Sequence, residues 1–174
     1  MRRRGFLGAG GIALAGLLPP GRAPAGKAVE IRMLHDRETG RVAFDPVGLR
    51  IEPGTRVRWV NAGGVHTATA YHPDNGGRAR RIPQRAEPWD SGYLTEPGET
   101  FEQRLQVPGI HDYLCRPHEA AGMVGRLLVA APGEGERAVA RYHEDPYGAA
   151  LPPAALAALP DPAAILRAGR IDAR

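Results

Sequence analysis

Short runs that alternate between apolar and polar side chains dominate the chain between residues 27 and 131. The runs Val29–Met33 and Arg56–Asn61 place every second side chain on the same side, which is the period of a strand with one buried face. Proline–glycine pairs mark turns between runs of this kind, at Pro53-Gly54, Pro97-Gly98 and Pro108-Gly109. Roughly seven or eight short strands at this spacing predict an all-β sandwich. No unit of about 20 to 50 residues repeats, which argues against a solenoid or a propeller.

One long excursion interrupts this rhythm at residues 72–92. It carries four arginines, Arg78, Arg80, Arg81 and Arg85. Such a group is usually a solvated face. The alternative is a docking patch for an acidic protein partner, which would act mainly on the association rate.

A tail rich in proline and alanine follows the sandwich, which we expect to span residues 26–131. The tail, residues 132–174, is predicted to pack on the sandwich or to extend from it. Residues 154–159 and 162–168 have the composition of short helices, and Asp161 is a predicted N-cap before Pro162. Four apolar side chains are available for packing, those of Leu156, Leu159, Ile165 and Leu166.

The first 25 residues have the pattern of an export signal. Arg2–Arg4 precede the apolar or small-residue run Phe6–Leu18, which is shorter than the ~20 residues that span a bilayer as a helix. Ala23-Pro24-Ala25 offers the small residues that a signal peptidase accepts. The pattern resembles a twin-arginine signal, with Arg3 and Arg4 as the pair. We therefore expect a periplasmic or extracellular protein without a transmembrane span in the mature chain; a disordered basic tail or an uncleaved anchor is the alternative.

The charge balance excludes one class of function. The chain holds 23 Lys and Arg against 19 Asp and Glu, and four of the basic residues but none of the acidic ones precede residue 26. The remaining chain is formally neutral. A neutral domain lacks the basic surface with which proteins grip DNA or RNA, so we expect no nucleic-acid partner.

The single cysteine lies in the most informative part of the sequence. Exported proteins normally pair their cysteines, and Cys115 has no partner, so it is a buried spectator, an intermolecular link or a metal ligand. Cys115, His118 and Met123 follow the spacing C-x2-H-x4-M between two predicted strands, and His66 begins another β-prone run. A thiolate, two imidazoles and a weak thioether are the ligand set of a blue-copper electron-transfer site.

The same residues carry a resemblance to a known family. The segments Val65-His66-Thr67, Cys115–His118 and Met123–Gly125 resemble those of the plastocyanin and pseudoazurin branch of the cupredoxins, and the likeness covers about residues 28–131. This resemblance implies an eight-stranded Greek-key sandwich that holds one type 1 copper ion near one end. It also implies protein redox partners and a set of four copper ligands, namely His66, Cys115, His118 and Met123.

Three features depart from the family. Many members carry Asn after the first histidine ligand, where its amide ties the two ligand segments together, and Thr67 stands there instead. A hydroxyl can make one such tie but not a two-ended one. Leu114 replaces the tyrosine that serves a remote electron route in plastocyanins, so we expect no such route here. The excursion at residues 72–92 is the third departure.

The other histidines fit the copper site less well. His111 lies four residues before Cys115 on the same strand, roughly 13 Å away at ~3.3 Å per residue, so it cannot share the metal and is predicted to face inward. His72 could flank the site. His35 and His143 show no informative spacing.

The expected function is one-electron transfer by a monomeric carrier that is not an enzyme. Multicopper oxidases and copper nitrite reductases reuse this sandwich, but their further copper sites use His-x-His pairs, and the six histidines here form none. A periplasmic copper-binding or delivery protein without redox duty is the remaining alternative. Such proteins tend to use sites rich in methionine and histidine, so Cys115 argues against it.

Overall fold

The computed structural model describes residues 28–144 and 151–173, with side chains up to residue 142 in the first range. The predicted export signal, residues 1–25, lies outside the described residues, and so does the side chain of His143. Within the described ranges, no helix is both long enough and apolar enough to cross a membrane.

Nine strands of the described residues form two sheets around a shared core. The strands are β1 (Val29–His35), β2 (Val42–Asp45), β3 (Gly48–Ile51), β4 (Thr55–Asn61), β5 (Thr69–Ala70), β6 (Thr100–Leu105), β7 (Gly109–Leu114), β8 (Val124–Val129) and β9 (Arg170–Ile171). One sheet has the order β2-β1-β4-β6 and the other β5-β7-β8-β3-β9. β1 pairs with β4, and β3 with β8, in parallel, so the chain crosses over between the sheets. The predicted all-β sandwich is confirmed.

The alternation seen in the sequence also sets the core. In β1, Ile31 and Met33 are fully buried, whereas Arg32 between them is exposed. In β4, Trp59 is fully buried and contacts three other aromatic rings at centroid distances of 5.4 to 6.1 Å, those of Trp89, Phe101 and Tyr113. Both tryptophans therefore pack in the core.

The C-terminal segment covers the outer face of the second sheet. It forms three helices, α1 (Gly135–Glu144), α2 (Pro153–Ala158) and α3 (Pro162–Ala168), of which α1 has no counterpart among the predicted helices. Tyr113 and Leu127 point into the sandwich core, while Ile110 and Leu128 pack against α1 and α3. Because both faces of β7 and β8 are covered, nearly every residue of these strands is buried, instead of alternating between buried and exposed.

The start of α3 follows its sequence pattern. The Asp161 carboxylate accepts a hydrogen bond from the Ala164 amide at 2.9 Å, and Pro162 is the first helical residue. This is an N-cap, which satisfies an amide that has no partner within the helix. Ile165 is fully buried, as its predicted packing role requires.

The expected packing role of Leu156 is wrong, because this side chain is 62% exposed. Ala155 is the fully buried residue of α2. The reason is a close approach: a Cβ added at Gly122, in the loop after β7, would lie 3.1 Å from the Ala154 carbonyl oxygen. A helix this close to its neighbour admits alanine at the contact and turns leucine, about 100° further round, toward solvent.

The excursion does not form one solvated arginine face. Arg81 is buried and its Nε donates to Asp112 Oδ2 at 3.0 Å. Arg126 reaches the same fully buried carboxylate with two hydrogen bonds, of 2.7 and 2.9 Å. Arg78 pairs with Glu119. The excursion is thus anchored to β7 and to the loop that follows it, and a docking patch would have to do without Arg78 and Arg81.

We predict that Asp112→Ala lowers the free energy of unfolding by about 3–5 kcal/mol, because the variant removes the fully buried carboxylate that pairs with two buried guanidinium groups. Urea denaturation measures this loss. Glu102→Ala is the control, since Glu102 pairs with Arg56 and Arg58 near the surface and its loss is expected to be much smaller. Equal losses for the two variants would contradict the expectation that the buried ion pairs contribute more to the free energy of unfolding than the surface pairs do.

Candidate metal centre

The first predicted ligand lies on a short segment between β4 and β5. His66 forms two backbone hydrogen bonds with Leu94, of 3.0 and 2.8 Å. The turn before it contains Gly64 at φ +91°, where an added Cβ would lie 2.7 Å from the His35 ring. Glycine meets both requirements, because it tolerates positive φ and occupies no side-chain volume.

The other three predicted ligands lie on the connection between β7 and β8. Cys115 directly follows β7, and a 3-10 helix over Arg116–Ala121 carries His118. The Cys115 amide donates to the Met123 carbonyl at 2.9 Å, and the Met123 amide donates to the His118 carbonyl at 3.1 Å. These bonds close the connection at its base, so its two ends are continuous with paired strands.

Three of the four predicted ligands bring their donor atoms together. Nδ1 of His118 lies 3.3 Å from the Cys115 sulfur, and Nδ1 of His66 lies 3.7 Å from it. The three ligand atoms lie within 4.8 Å of one another. A tetrahedral ion with metal–sulfur and metal–nitrogen bonds of about 2.3 and 2.0 Å separates sulfur from nitrogen by about 3.5 Å. The side chains therefore fit a single metal ion.

The hydrogen bonds of His66 determine which ring nitrogen is free. Its Nε2 lies 2.8 Å from the Gly63 carbonyl oxygen, which can only accept, so Nε2 carries the hydrogen and Nδ1 presents a lone pair. Burial lowers the pKa of His66 to about 4, and burial also lowers the pKa of His118. Both rings are therefore neutral at pH 7 and ready to coordinate.

The Cys115 thiol, unlike the two imidazoles, must lose a proton before it can bind a metal ion. Burial raises its pKa to about 11, although the Thr67 amide donates to the sulfur at 3.4 Å and favours the thiolate. At pH 7 the side chain is therefore a neutral thiol in the absence of metal. A cation at this position removes the proton, since metals bind cysteine as thiolate.

The four predicted ligands differ in their burial. His66, Cys115 and Met123 are fully buried, and His118 is half-buried. Pro117, beside His118, is exposed. Among the predicted ligands, the His118 ring is thus the group nearest to solvent.

Residues 31–130 match the family model described as copper binding proteins of the plastocyanin/azurin family. The chain belongs to this family. Its predicted cupredoxin membership and its predicted cofactor, copper, are therefore confirmed.

Individual members of the family cover much of the chain. A chloroplastic plastocyanin of Tetradesmus obliquus is 30% identical over 124 residues, which are 70% of this chain and 78% of that protein. A plastocyanin of Scenedesmus fuscus is 30% identical over 95 residues, 53% of this chain and 91% of that protein. The solved structure of a pseudoazurin from Sinorhizobium is 28% identical, with a TM-score of 0.52 over 82% of this chain and 98% of that one.

His35 is a neighbour of the predicted copper ligands that sequence spacing does not reveal. Its ring centroid lies 6.3 Å from those of both His66 and His118. It ends β1 and is exposed. Its position follows from the parallel pairing of β1 with β4, a long-range contact that leaves no local pattern in the sequence.

The remaining described histidines stay outside the group of three donors. His111 is buried, as predicted, and its Nε2 lies 2.8 Å from the Val107 carbonyl oxygen. His72 accepts a hydrogen bond at Nδ1 from the Asp74 amide at 3.2 Å, which makes it a turn residue. Neither belongs to the cluster of potential metal ligands.

Thr67 ties the two ligand segments together with its hydroxyl. The amide of Arg116, the residue after Cys115, donates to Thr67 Oγ1 at 2.9 Å. With the bond from its own amide to the Cys115 sulfur, Thr67 contacts the cysteine segment twice. The His66 and Cys115 segments are therefore tied together by one side-chain and one backbone hydrogen bond of Thr67.

We predict that Cu(I) uptake by the metal-free protein at pH 7 releases about one proton, because the Cys115 thiol must ionise whereas both imidazoles are already neutral. The bound form holds one proton fewer, so the apparent affinity should rise about tenfold per pH unit from roughly pH 7 to pH 10. An indicator dye in weakly buffered solution counts the protons, and chelator competition gives the affinity.

Cys115→Ser is the control for this measurement, since a serine hydroxyl releases no proton in this range. Uptake by the natural protein without proton release would contradict thiolate binding.

Proposed function

We propose that this chain is an exported type 1 blue-copper protein that carries single electrons between protein redox partners. The proposed ligands are His66, Cys115, His118 and Met123. The observation that carries the proposal is the convergence of an unprotonated His66 Nδ1 and the His118 Nδ1 on one buried cysteine sulfur. Copper, when bound, supplies the Cu(I)/Cu(II) couple, which exchanges one electron without making or breaking a substrate bond.

The protein holds its ligands in fixed positions. The base of the Cys115–Met123 connection is hydrogen-bonded as an extension of the β7–β8 pair, and His66 is paired with Leu94. Ligands fixed by backbone pairing move little when the charge of the metal changes, and a small rearrangement favours fast electron transfer. This argues for a carrier.

The surroundings of the proposed ligands also support a carrier that is not an enzyme. A cavity of about 540 Å³ lies between β2, the end of the 3-10 helix and the C-terminal helices. None of the four proposed ligands lines it. A substrate in this cavity would not touch the donor atoms.

The His118 ring is the proposed exit for the electron. It is the least buried of the four proposed ligands, and its neighbour Pro117 is exposed. Val65, beside His66, is 46% exposed. An apolar surface next to this ring lets a protein partner approach without desolvating charges.

Export is the second part of the proposal. The twin-arginine-like pattern over residues 1–25 supports a periplasmic or extracellular location. The described part of the chain contains no helix that could cross a membrane. We propose a monomer that diffuses between its partners.

We predict that the copper protein shows an intense blue absorption band and a narrow copper hyperfine splitting in its EPR spectrum. Cys115→Ser should abolish the band, because the colour requires the sulfur–Cu(II) bond, while circular dichroism shows an intact sandwich. His72→Gln is the matched control and should stay blue, since His72 lies outside the donor group. A blue Cys115→Ser variant would rule out the ligand assignment. A colourless natural protein would favour the copper-delivery alternative.

We further predict that Met123→Leu keeps the blue colour and raises the reduction potential, because Cu(II) loses a weak donor that stabilises it relative to Cu(I). Cyclic voltammetry measures the shift. Met33→Leu is the control, a fully buried methionine of β1 whose replacement should leave the potential unchanged. An unaltered potential in Met123→Leu would rule out Met123 as a copper ligand.

A further inference from the structure

A line of side-chain oxygens extends from the cysteine segment to the end of the excursion. Oγ1 of Thr69 lies 2.9 Å from Oγ1 of Thr67 and 2.9 Å from Oδ1 of Asp90. Thr67 and Thr69 are fully buried. Asp90 lies at the surface and its Oδ1 also accepts from the Gly92 amide at 3.0 Å.

The chemistry of the groups gives this line a single direction. An ionised carboxylate only accepts, so the Thr69 hydroxyl donates its one hydrogen to Asp90. Thr69 must then accept a hydrogen bond from Thr67. The hydroxyl hydrogen of Thr67 therefore points toward Thr69. The lone pairs of Thr67 Oγ1 face the Arg116 amide, which donates to it at 2.9 Å. Aligned hydrogen bonds of this kind polarise and strengthen one another.

The line closes into a ring through the side chain of Arg116. Its Nη2 lies 3.3 Å from Asp90 Oδ2, and its guanidinium carbon lies 5.0 Å from the centre of the Tyr93 ring. Arg116 therefore enters the ring twice, once through its backbone amide and once through its guanidinium. Thr67 and Arg116 are the residues that follow His66 and Cys115, so the ring fixes the two segments relative to each other.

We propose that Thr69 and Asp90 are positioning residues of the copper site, which act through Thr67 and Arg116 to hold the His66 and Cys115 segments at a fixed separation. This inference rests on the proposed function. It gives the excursion a role, because residues 72–92 deliver Asp90 to a position from which it orients the hydroxyls of two threonines. Without Asp90 and Thr69, the Thr67 hydroxyl has no fixed orientation toward the Arg116 amide.

The test compares Thr69→Val, which removes the hydroxyl and keeps the shape, with Thr69→Ser, which restores the hydroxyl. Tyr142→Phe is the control, since it removes a hydroxyl that contacts Arg126 at 3.0 Å, on the side of β8 that faces the tail. The first measurement is hydrogen exchange of the Arg116 amide in the metal-free protein, referred to the Leu127 amide of β8. The second is the Cu(I) affinity by chelator competition, together with the reduction potential.

Thr69→Val should speed exchange at Arg116 relative to Leu127 and weaken copper binding by about tenfold, the usual effect of removing a group that orients a metal ligand. Its reduction potential should shift, while Thr69→Ser and Tyr142→Phe keep natural values of all three quantities. Unchanged exchange at Arg116 in Thr69→Val, or unchanged copper affinity, would overturn the proposal. Equal losses in the Val and Ser variants would also overturn it. A natural protein that takes up no copper would contradict the proposed function. The exchange rate of the Arg116 amide in the metal-free protein would then test the hydrogen-bonded ring by itself.

Discussion

The hydrogen bond from the Cys115 amide to the Met123 carbonyl is the contact on which the proposed copper site depends. It adds one step to the antiparallel pairing of β7 and β8, directly beyond the Leu114–Val124 pair. The two ends of the connection that carries the proposed ligands are therefore part of a sheet. Backbone pairing fixes their positions as it does in the strands themselves. Ligands on such elements are held more exactly than ligands on free loops. His66 reaches the same place through a second backbone pairing, with Leu94.

The two segments that distinguish this chain from a minimal sandwich both attach to β7 and β8. The buried Asp112 carboxylate receives Arg81 from the excursion and Arg126 from β8. Arg126 in turn donates to the Pro160 carbonyl of the tail at 2.8 Å. Removing one partner of a buried charge is strongly destabilising, so this network couples the excursion, β7, β8 and the tail.

The sequence predicts the parts of the site that are local. Cys115, His118 and Met123 lie on one short connection, so their spacing alone indicates a metal site, and the sandwich follows from strand periodicity. The rest depends on long-range contacts. His35 approaches the site through the β1–β4 pairing, and Asp90 reaches Thr69 only because the excursion folds back. The sequence alone also does not predict that Leu156 is exposed. The surface on which a short helix packs determines which of its faces is buried.

The close approach of α2 to Gly122 limits how the loop of residues 116–122 can be moved into another protein. Residues 116–122 contact α2, a helix that lies beyond residues 31–130, the range that the family model matches. Part of the stiffness of the ligand loop is therefore encoded in a different stretch of the chain. A graft of the loop alone into a shorter cupredoxin would carry the ligands without their support. Residues 116–122 and α2 must therefore be transferred together, although some thirty residues separate them in the sequence.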